Sequence, residues 1–479
     1  MFFLPAAEAS LKEETDINPD AVFLEARQVF FETVEKLLEN HFRKAELSEE
    51  DLERIARAED EVPYLFERIM NIAYQQHEPV FSQWMDKGDP DSMEKFREQF
   101  INLSRDYAGR FVGSLFRKTP HADFAMRMPH NKGKSTLDLV LQTLGYNVKH
   151  DLPDIPEADW FQNEIEPDFY SQWGLSAINA EKCWSITQGE GVVAAVIDSG
   201  IDPYNSLFQD KTVPGFNFLQ RTTPPWSDEN PPMIDYGLHG TGVSSALLAV
   251  APECRIMPIR IADAETMNDP PYDYWLWEWS AAGIYYAVNH GADIISKSAR
   301  LSMAEPVIAE AVRYAYKNNV IICTSAGNMP RSYLGLRPDE MLYHAFDREV
   351  LLIGGVEKEM DSIQPWPYSV PGPFVDVAAP SHDVFVAVPV YMEEFQNDYV
   401  AGTSLSAPIA AGVAALMYSA SPPSQDLLEK PGAYVDLLSR CLKETARLKM
   451  LGTLHPNEFV GHGLIDAYAA VFKIKNEVE

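Results

Sequence analysis

Four short stretches of this 479-residue chain set reactive side chains among small residues. The apolar run Val192–Ile197 ends in Asp198-Ser199-Gly200-Ile201-Asp202, which places a carboxylate at the carboxyl edge of a buried strand, where catalytic groups collect. Gly237-Leu238-His239-Gly240-Thr241-Gly242-Val243 sets a histidine at the head of an apolar helical stretch, where its ring can face a cleft. Ala401-Gly402-Thr403-Ser404-Leu405-Ser406-Ala407-Pro408 puts a serine after a glycine turn, at the start of an alanine-rich helix through Met417 whose amino terminus favours developing negative charge. Ser325-Ala326-Gly327-Asn328 follows a strand and offers an amide side chain. A serine hydroxyl is a weak nucleophile until an imidazole takes its proton, and a carboxylate can hold that imidazole in the required tautomer. Each residue also has a plainer reading alone: Asp198 and Ser404 as helix caps, His239 as a core histidine, Asn328 as a turn residue.

In this order, each inside its own flanking motif, the four positions resemble the subtilisin-like serine proteases, the subtilase family of peptidase S8 type. The resemblance runs from about Ser171 to Val471. It opens on Gln172-Trp173-Gly174-Leu175-Ser176-Ala177-Ile178-Asn179-Ala180 and closes on Gly461-His462-Gly463-Leu464-Ile465-Asp466-Ala467, which resembles the family's last helix. It implies an α/β fold, a subtilisin-like three-layer domain with a mainly parallel sheet. It also implies a serine endopeptidase, a hydrolase working through an acyl-enzyme. By that likeness Ser404 is the nucleophile, His239 its general base, Asp198 the orienting carboxylate, and Asn328 with the Ser404 amide the oxyanion hole. Ser298, Ala299 and Arg300 on one wall, with Ser325, Ala326 and Gly327 on another, are the implied substrate-binding residues. No cofactor is implied.

Departures from the family pattern bear on that expectation. The acidic calcium position after the aspartate motif reads Pro203-Tyr204-Asn205-Ser206-Leu207, and the chain from Thr241 to Pro252 has no room for the interrupting calcium loop, so no metal is expected there. The usual Ser-Leu-Gly-Gly becomes Ser298-Ala299-Arg300-Leu301, which narrows the cleft. Arg300 either pairs with an acidic substrate residue or points into solvent. The aromatic stretch Tyr272-Asp273-Tyr274-Trp275-Leu276-Trp277-Glu278-Trp279 either grips substrate or packs.

The elements that must position these groups are legible as patterns. Short apolar runs at Val192–Ile197, Arg255–Ile261, Asp293–Ile295, Val320–Thr324 and Val350–Gly354 alternate with helical stretches, as in buried parallel strands covered on both faces. Before them, apolar residues recur at three- and four-residue spacing from Asn18 to about Lys118, including Val22, Val29, Phe30, Val34, Leu37 and Leu38. Asn18-Pro19 and Ser48-Glu49-Glu50-Asp51 are start signals, and four or five helices fit. Residues 1–120 therefore form an expected all-α N-terminal domain, 121–170 a connecting region, and 171–479 the catalytic domain. Gly133-Lys134-Ser135-Thr136 lacks the upstream glycine and strand of a phosphate loop, and Ser135 reads as a helix cap.

Composition narrows the partners. The net charge is -32, and residues 1–150, with 27 acidic and 19 basic side chains, leave -24 to the remainder. Such a surface repels nucleic acid and anionic lipid, and it either attracts basic peptides or serves solubility. The expected partners are a protein or peptide substrate and a regulatory protein bound by the helical domain, with no nucleic acid and no membrane. Cys183, Cys254, Cys323 and Cys441 stand singly, as core thiols rather than a disulfide framework. No secretory signal is evident at Met1–Ala7, and no apolar run approaches the length that spans a bilayer. A cytoplasmic peptidase regulated by its helical region is the expectation. Peptide maturation or acyl transfer to an amine, and a pseudoprotease that only binds partners, are the alternatives.

Overall fold

The structure is a computed structural model of the chain, and it describes residues 18–42, 66, 69–71, 73–115, 167–219, 235, 239–262, 273–299, 301, 306–328, 348–360, 362–389, 398–448, 451 and 455–478. These fall into two compact units, one among the amino-terminal residues and one from residue 167 onward. Ser48–Asp51, Gly133–Thr136 and Arg300 lie outside the described residues.

The amino-terminal unit is helical, as expected. Helix α1, Pro19–Phe42, starts where Asn18 Oδ1 accepts the Asp20 amide at 2.9 Å. Residues 73–87 are helical, and α2 spans Pro90–Leu115, capped by Asp89, which accepts the Ser92 amide at 2.9 Å. The recurring apolar positions become one aromatic core: Phe30, Phe66, Phe81, Phe96 and Phe100 are fully buried, with Phe81 edge-on to Phe96 at 5.3 Å. Across it, Arg97 donates to both carboxylate oxygens of Glu25, and Ser104 Oγ donates to the Ala26 carbonyl at 2.6 Å.

The second unit is built on an eight-stranded sheet. Its strands are β1 Val193–Asp198, β2 Phe216–Asn217, β3 Arg255–Arg260, β4 Ile294–Lys297, β5 Ile321–Ser325, β6 Val350–Glu359, β7 Ser362–Pro365 and β8 Val377–Pro380. The order is β2-β3-β1-β4-β5-β6-β7, with β8 also on β6, and every pairing is parallel except β6 with β7. The five apolar runs of the sequence are β1, β3, β4, β5 and β6. Strands β9 Val384–Val386 and β10 Asp398–Val400 form a separate antiparallel pair.

Helices cover both faces, giving the three-layer subtilisin-like arrangement. They are α3 Gly240–Val250, α4 Asp273–Asn289, α5 Pro306–Lys317, α6 Thr403–Ala420, α7 Ala433–Thr445 and α8 Ala467–Val478. Strand alternation sorts the layers. Ala194 and Val196 join the core under α3 and α6, whereas Ile197 meets α4 across Gly283. Helix α6 packs on β4, β5, β6 and β8 and against α3 and α8. It approaches α3 so closely that a Cβ on Gly412 would fall 2.7 Å from the Val250 Cβ.

Helix α6 corrects one expectation. Its 18 residues are long and apolar enough, by length and composition, to cross a membrane, because Ser404, Ser406 and Pro408 interrupt the apolar run without breaking the helix. It is instead the central core helix of this unit, with 78% of it buried. The four cysteines are free and buried, and burial pushes the Cys183, Cys254 and Cys323 thiols up to about 12.

Candidate active site

The chain passes from β1 to β3 on one side, then from β3 back across β1 to β4 on the other. The sheet order therefore reverses at β1, and a crevice forms beyond the carboxyl ends of β1 and β4. Asp198 is the last residue of β1 and is buried there. His239 caps the amino end of α3, and its Nδ1 lies 2.8 Å and 3.0 Å from the two Asp198 carboxylate oxygens. With Nδ1 carrying the proton donated to Asp198, the Nε2 lone pair is left free. The approach depends on Gly240: a Cβ there would sit 2.0 Å from the Gly200 carbonyl oxygen.

A second carboxylate completes this half of the site. Buried Asp235 accepts the Thr241 amide at 2.7 Å and the Ser199 hydroxyl at 2.7 Å, and Ser199 Oγ accepts the Gly240 amide at 2.9 Å. Ser199 thus ties the end of β1 to the first turn of α3. Its amide also donates to Asp198 Oδ1 at 2.7 Å. Burial pushes the Asp198 carboxyl up, but the His239 charge and hydrogen bond, the Ser199 amide and Lys297 outweigh it and hold it below the usual range. For His239 burial disfavours the charged ring, yet Asp198 and Asp235 prevail and raise its basicity above the ordinary histidine value.

The other half contains no charged group among Ser404, Thr403, Asn328 and Ser298. Ser404 is the second residue of α6. Four residues on, Pro408 has no amide hydrogen to give the Ser404 carbonyl. Ser298, just beyond β4, supplies the missing donor, its Oγ reaching the Ser404 carbonyl oxygen at 2.6 Å. The Ser404 hydroxyl lies 3.5 Å from the Ser298 carbonyl oxygen, and among the described residues no hydrogen bond joins it to the His239 ring. Asn328 Oδ1 accepts the Thr403 amide at 2.9 Å and the Thr403 hydroxyl at 2.8 Å, while Thr403 Oγ1 accepts the Gly327 amide at 3.1 Å. That chain fixes the amide and leaves Nδ2 as its donor end. A Cβ on Gly402 would lie 3.4 Å from Asn328 Nδ2 and 3.7 Å from the Ser404 nitrogen, so both donors border one spot.

The expected substrate-lining residues are placed unevenly. Ala299 is exposed and Gly327 half-buried, whereas Ser298, Ser325 and Ala326 are buried, with Thr324 Oγ1 donating to the Ala299 carbonyl at 2.8 Å. Trp279 is fully buried and packs, which settles one member of the aromatic stretch. Ser199, Asp235, Thr403 and Lys297 were not singled out from the sequence. Thr403 and Ser199 sit inside the recognised motifs, so adjacency was their available signal. Asp235 and Lys297 carry none beyond charge beside an apolar run.

Residues 189–463 match the profile of the subtilase family. The chain belongs to that family. An intracellular serine protease of Paenibacillus polymyxa is 29% identical over 294 residues, covering 58% of this chain and 82% of the relative. The major intracellular serine protease of Bacillus subtilis (strain 168) is 26% identical over 297 residues, covering 60% of this chain and 86% of its own length. Thermitase of Thermoactinomyces vulgaris is 25% identical over 316 residues, covering 64% and 98%. The crystal structure of fervidolysin from Fervidobacterium pennivorans matches with a TM-score of 0.51 at 23% identity, over 63% of this chain and 45% of that one, a likeness of fold. This subtilase is accordingly a subtilisin-like serine protease, a hydrolase of the endopeptidase type.

Proposed function

We propose that this subtilase is an intracellular endopeptidase that cuts protein or peptide substrates through Asp198, His239 and Ser404, under control of its helical amino-terminal unit. The observation that carries the chemistry is the pairing of His239 Nδ1 with both Asp198 oxygens at 2.8 and 3.0 Å, in the crevice that the head of α6 also borders. Ser404 Oγ attacks the scissile carbonyl carbon while its proton passes to His239 Nε2. The carbonyl electron pair moves onto oxygen, received by Asn328 Nδ2 and the Ser404 amide. Collapse breaks the carbon–nitrogen bond, and the imidazolium gives its proton to the departing amine. Water then repeats the sequence on the acyl ester, releasing the new carboxyl end and restoring Ser404.

An intracellular setting is supported by the two relatives named as intracellular proteases. Regulation by the helical unit is supported by its position outside residues 189–463 and by its own closed aromatic core. A regulatory protein bound by that unit belongs to the same proposal. Mass spectrometry of an unfolded protein substrate tests the reaction: the wild type should yield water-derived carboxyl ends and Ser404→Ala none. Comparing the full chain with one beginning at Asp154 tests control, with a changed rate on a small peptide expected and equal rates removing the regulatory part.

A further inference from the structure

Helix α3 begins without a cap of its own. His239 stands at the N-cap position, where its carbonyl accepts the Val243 amide at 3.0 Å, yet its side chain makes no capping hydrogen bond. Serine, threonine, aspartate and asparagine ordinarily fill that position, because a side-chain oxygen there accepts one of the orphan amides of the first turn. An imidazole turned to Asp198 leaves those amides to other partners. Ser199 Oγ accepts the Gly240 amide at 2.9 Å, and Asp235 Oδ2 accepts the Thr241 amide at 2.7 Å. Asp235 stands four residues before His239, is fully buried, and places a carboxylate at the positive end of the helix.

The other oxygen of Asp235 directs a proton. The Ser199 hydroxyl has one proton and two carboxylate oxygens within reach, Asp235 Oδ1 at 2.7 Å and Asp198 Oδ1 at 3.2 Å. The shorter contact commits it to Asp235. Asp198 Oδ1 is then left to His239 Nδ1 at 2.8 Å and the Ser199 amide at 2.7 Å. A further donor on that oxygen would draw charge from it and weaken its hold on the imidazole. The loop after β1 is bound to the same helical turn once more, since Thr241 Oγ1 accepts the Asp202 amide at 3.0 Å.

We propose that Asp235 is a positioning residue of this protease, a surrogate cap for α3 that keeps the Ser199 hydroxyl proton away from Asp198 and so leaves Asp198 to hold the His239 ring. The inference rests on the reading of Asp198 and His239 as the catalytic pair, and adds a residue that acts through Ser199 and Thr241. Aspartate offers two acceptors here, whereas asparagine offers one acceptor and one donor. In Asp235→Asn the oxygen takes the Thr241 amide, the Ser199 hydroxyl accepts from the new amide, and its proton turns to Asp198.

The test compares the full-length wild type, Asp235→Asn, Ser199→Ala and the double variant on one small peptide substrate. Asp235→Asn should lose about 10- to 100-fold in kcat, up to the scale of a catalytic group misplaced by about 1 Å, with KM within about twofold. The low-field resonance of the His239 Nδ1 proton, identified by its loss in His239→Ala, should move upfield in the same variant. The double variant should be no slower than Ser199→Ala alone, because the effect passes through that hydroxyl. Should Asp235→Asn fail to fold, the smaller Asp235→Ser, which also lacks the second acceptor, replaces it. An unchanged kcat, an unmoved resonance, or losses that add in the double variant each overturns the proposal; a fall in melting temperature alone would leave Asp235 a structural cap. None of these outcomes touches the triad reading, which falls only if Ser404→Ala is still labelled by a serine-directed phosphonate.

Discussion

The two halves of the candidate active site are built from different physics. Around β1 and α3 the groups are charged and buried, Asp198 and Asp235, with His239 as the base of the proposed reaction. Around β5 and α6 they are hydroxyls, amides and one carboxamide: Ser404, Thr403, Asn328 and Ser298. In the proposed reaction the first half would set when the site works, because its members shift one another's proton affinities. In that reaction the second would set how well the developing oxyanion is held, through donors that do not titrate. Substitutions in the two halves should therefore leave different signatures, a moved pH profile in one and a vertical drop in the other.

The largest effect should come from Asp198→Asn, which keeps the shape but removes the charge holding His239. A fall of roughly 10⁴-fold in kcat, the scale typical of serine proteases, is expected. The wild-type acidic limb should sit above the ordinary histidine value, since Asp198 and Asp235 raise His239, so activity is lost as pH falls through that raised value. The variant's limb should lie lower. An unmoved limb would erase the distinction between the halves. Asn328→Ala should cost roughly 10²–10³ in kcat, the scale seen in subtilisin for an oxyanion-hole donor, with the limb unchanged. A shifted limb there would show the halves to be coupled.

Lys297→Met should stabilise the fold. The lysine's folded value of about 8 lies below its ordinary 10.5, so the folded state binds fewer protons between those values. Its destabilising effect is complete below about 8 and is relieved as pH rises toward 10.5. At neutral pH this amounts to roughly 3 kcal/mol as an upper scale. Thermal unfolding at pH 7 and pH 10 checks it: the variant's advantage should shrink at the higher pH. The smallest effect belongs to Ser298→Ala, which strips the donor from the Ser404 carbonyl that Pro408 cannot supply. A loss of about 1–2 kcal/mol in stability is expected, with a pH-independent reduction in kcat.

What the sequence revealed follows the same division. Asp198, His239, Ser404 and Asn328 were legible as candidates because each is embedded in a local motif whose small residues have a geometric purpose, as Gly240 against Gly200 illustrates. Strands β1, β3, β4, β5 and β6 were legible as apolar runs. Strands β2, β9 and β10, of two or three residues, are too short to carry a period. Asp235 acts through an amide six residues away and a hydroxyl 36 residues back, so it is not visible until the chain is folded. Ser298 was expected on a cleft wall by likeness, but its bond to the Ser404 carbonyl exists only because Pro408 stands one helical turn beyond the serine. The same proline and the serines around it made α6 read as less apolar than it is.

The proposed reaction stands or falls on Ser404. Incubating the full chain with a serine-directed phosphonate and locating the adduct by peptide mass spectrometry should give one modification at Ser404, lost in Ser404→Ala and slowed at acidic pH as His239 takes up its proton. Undiminished labelling of folded Ser404→Ala would contradict the assignment of the nucleophile, and with it the proposed reaction.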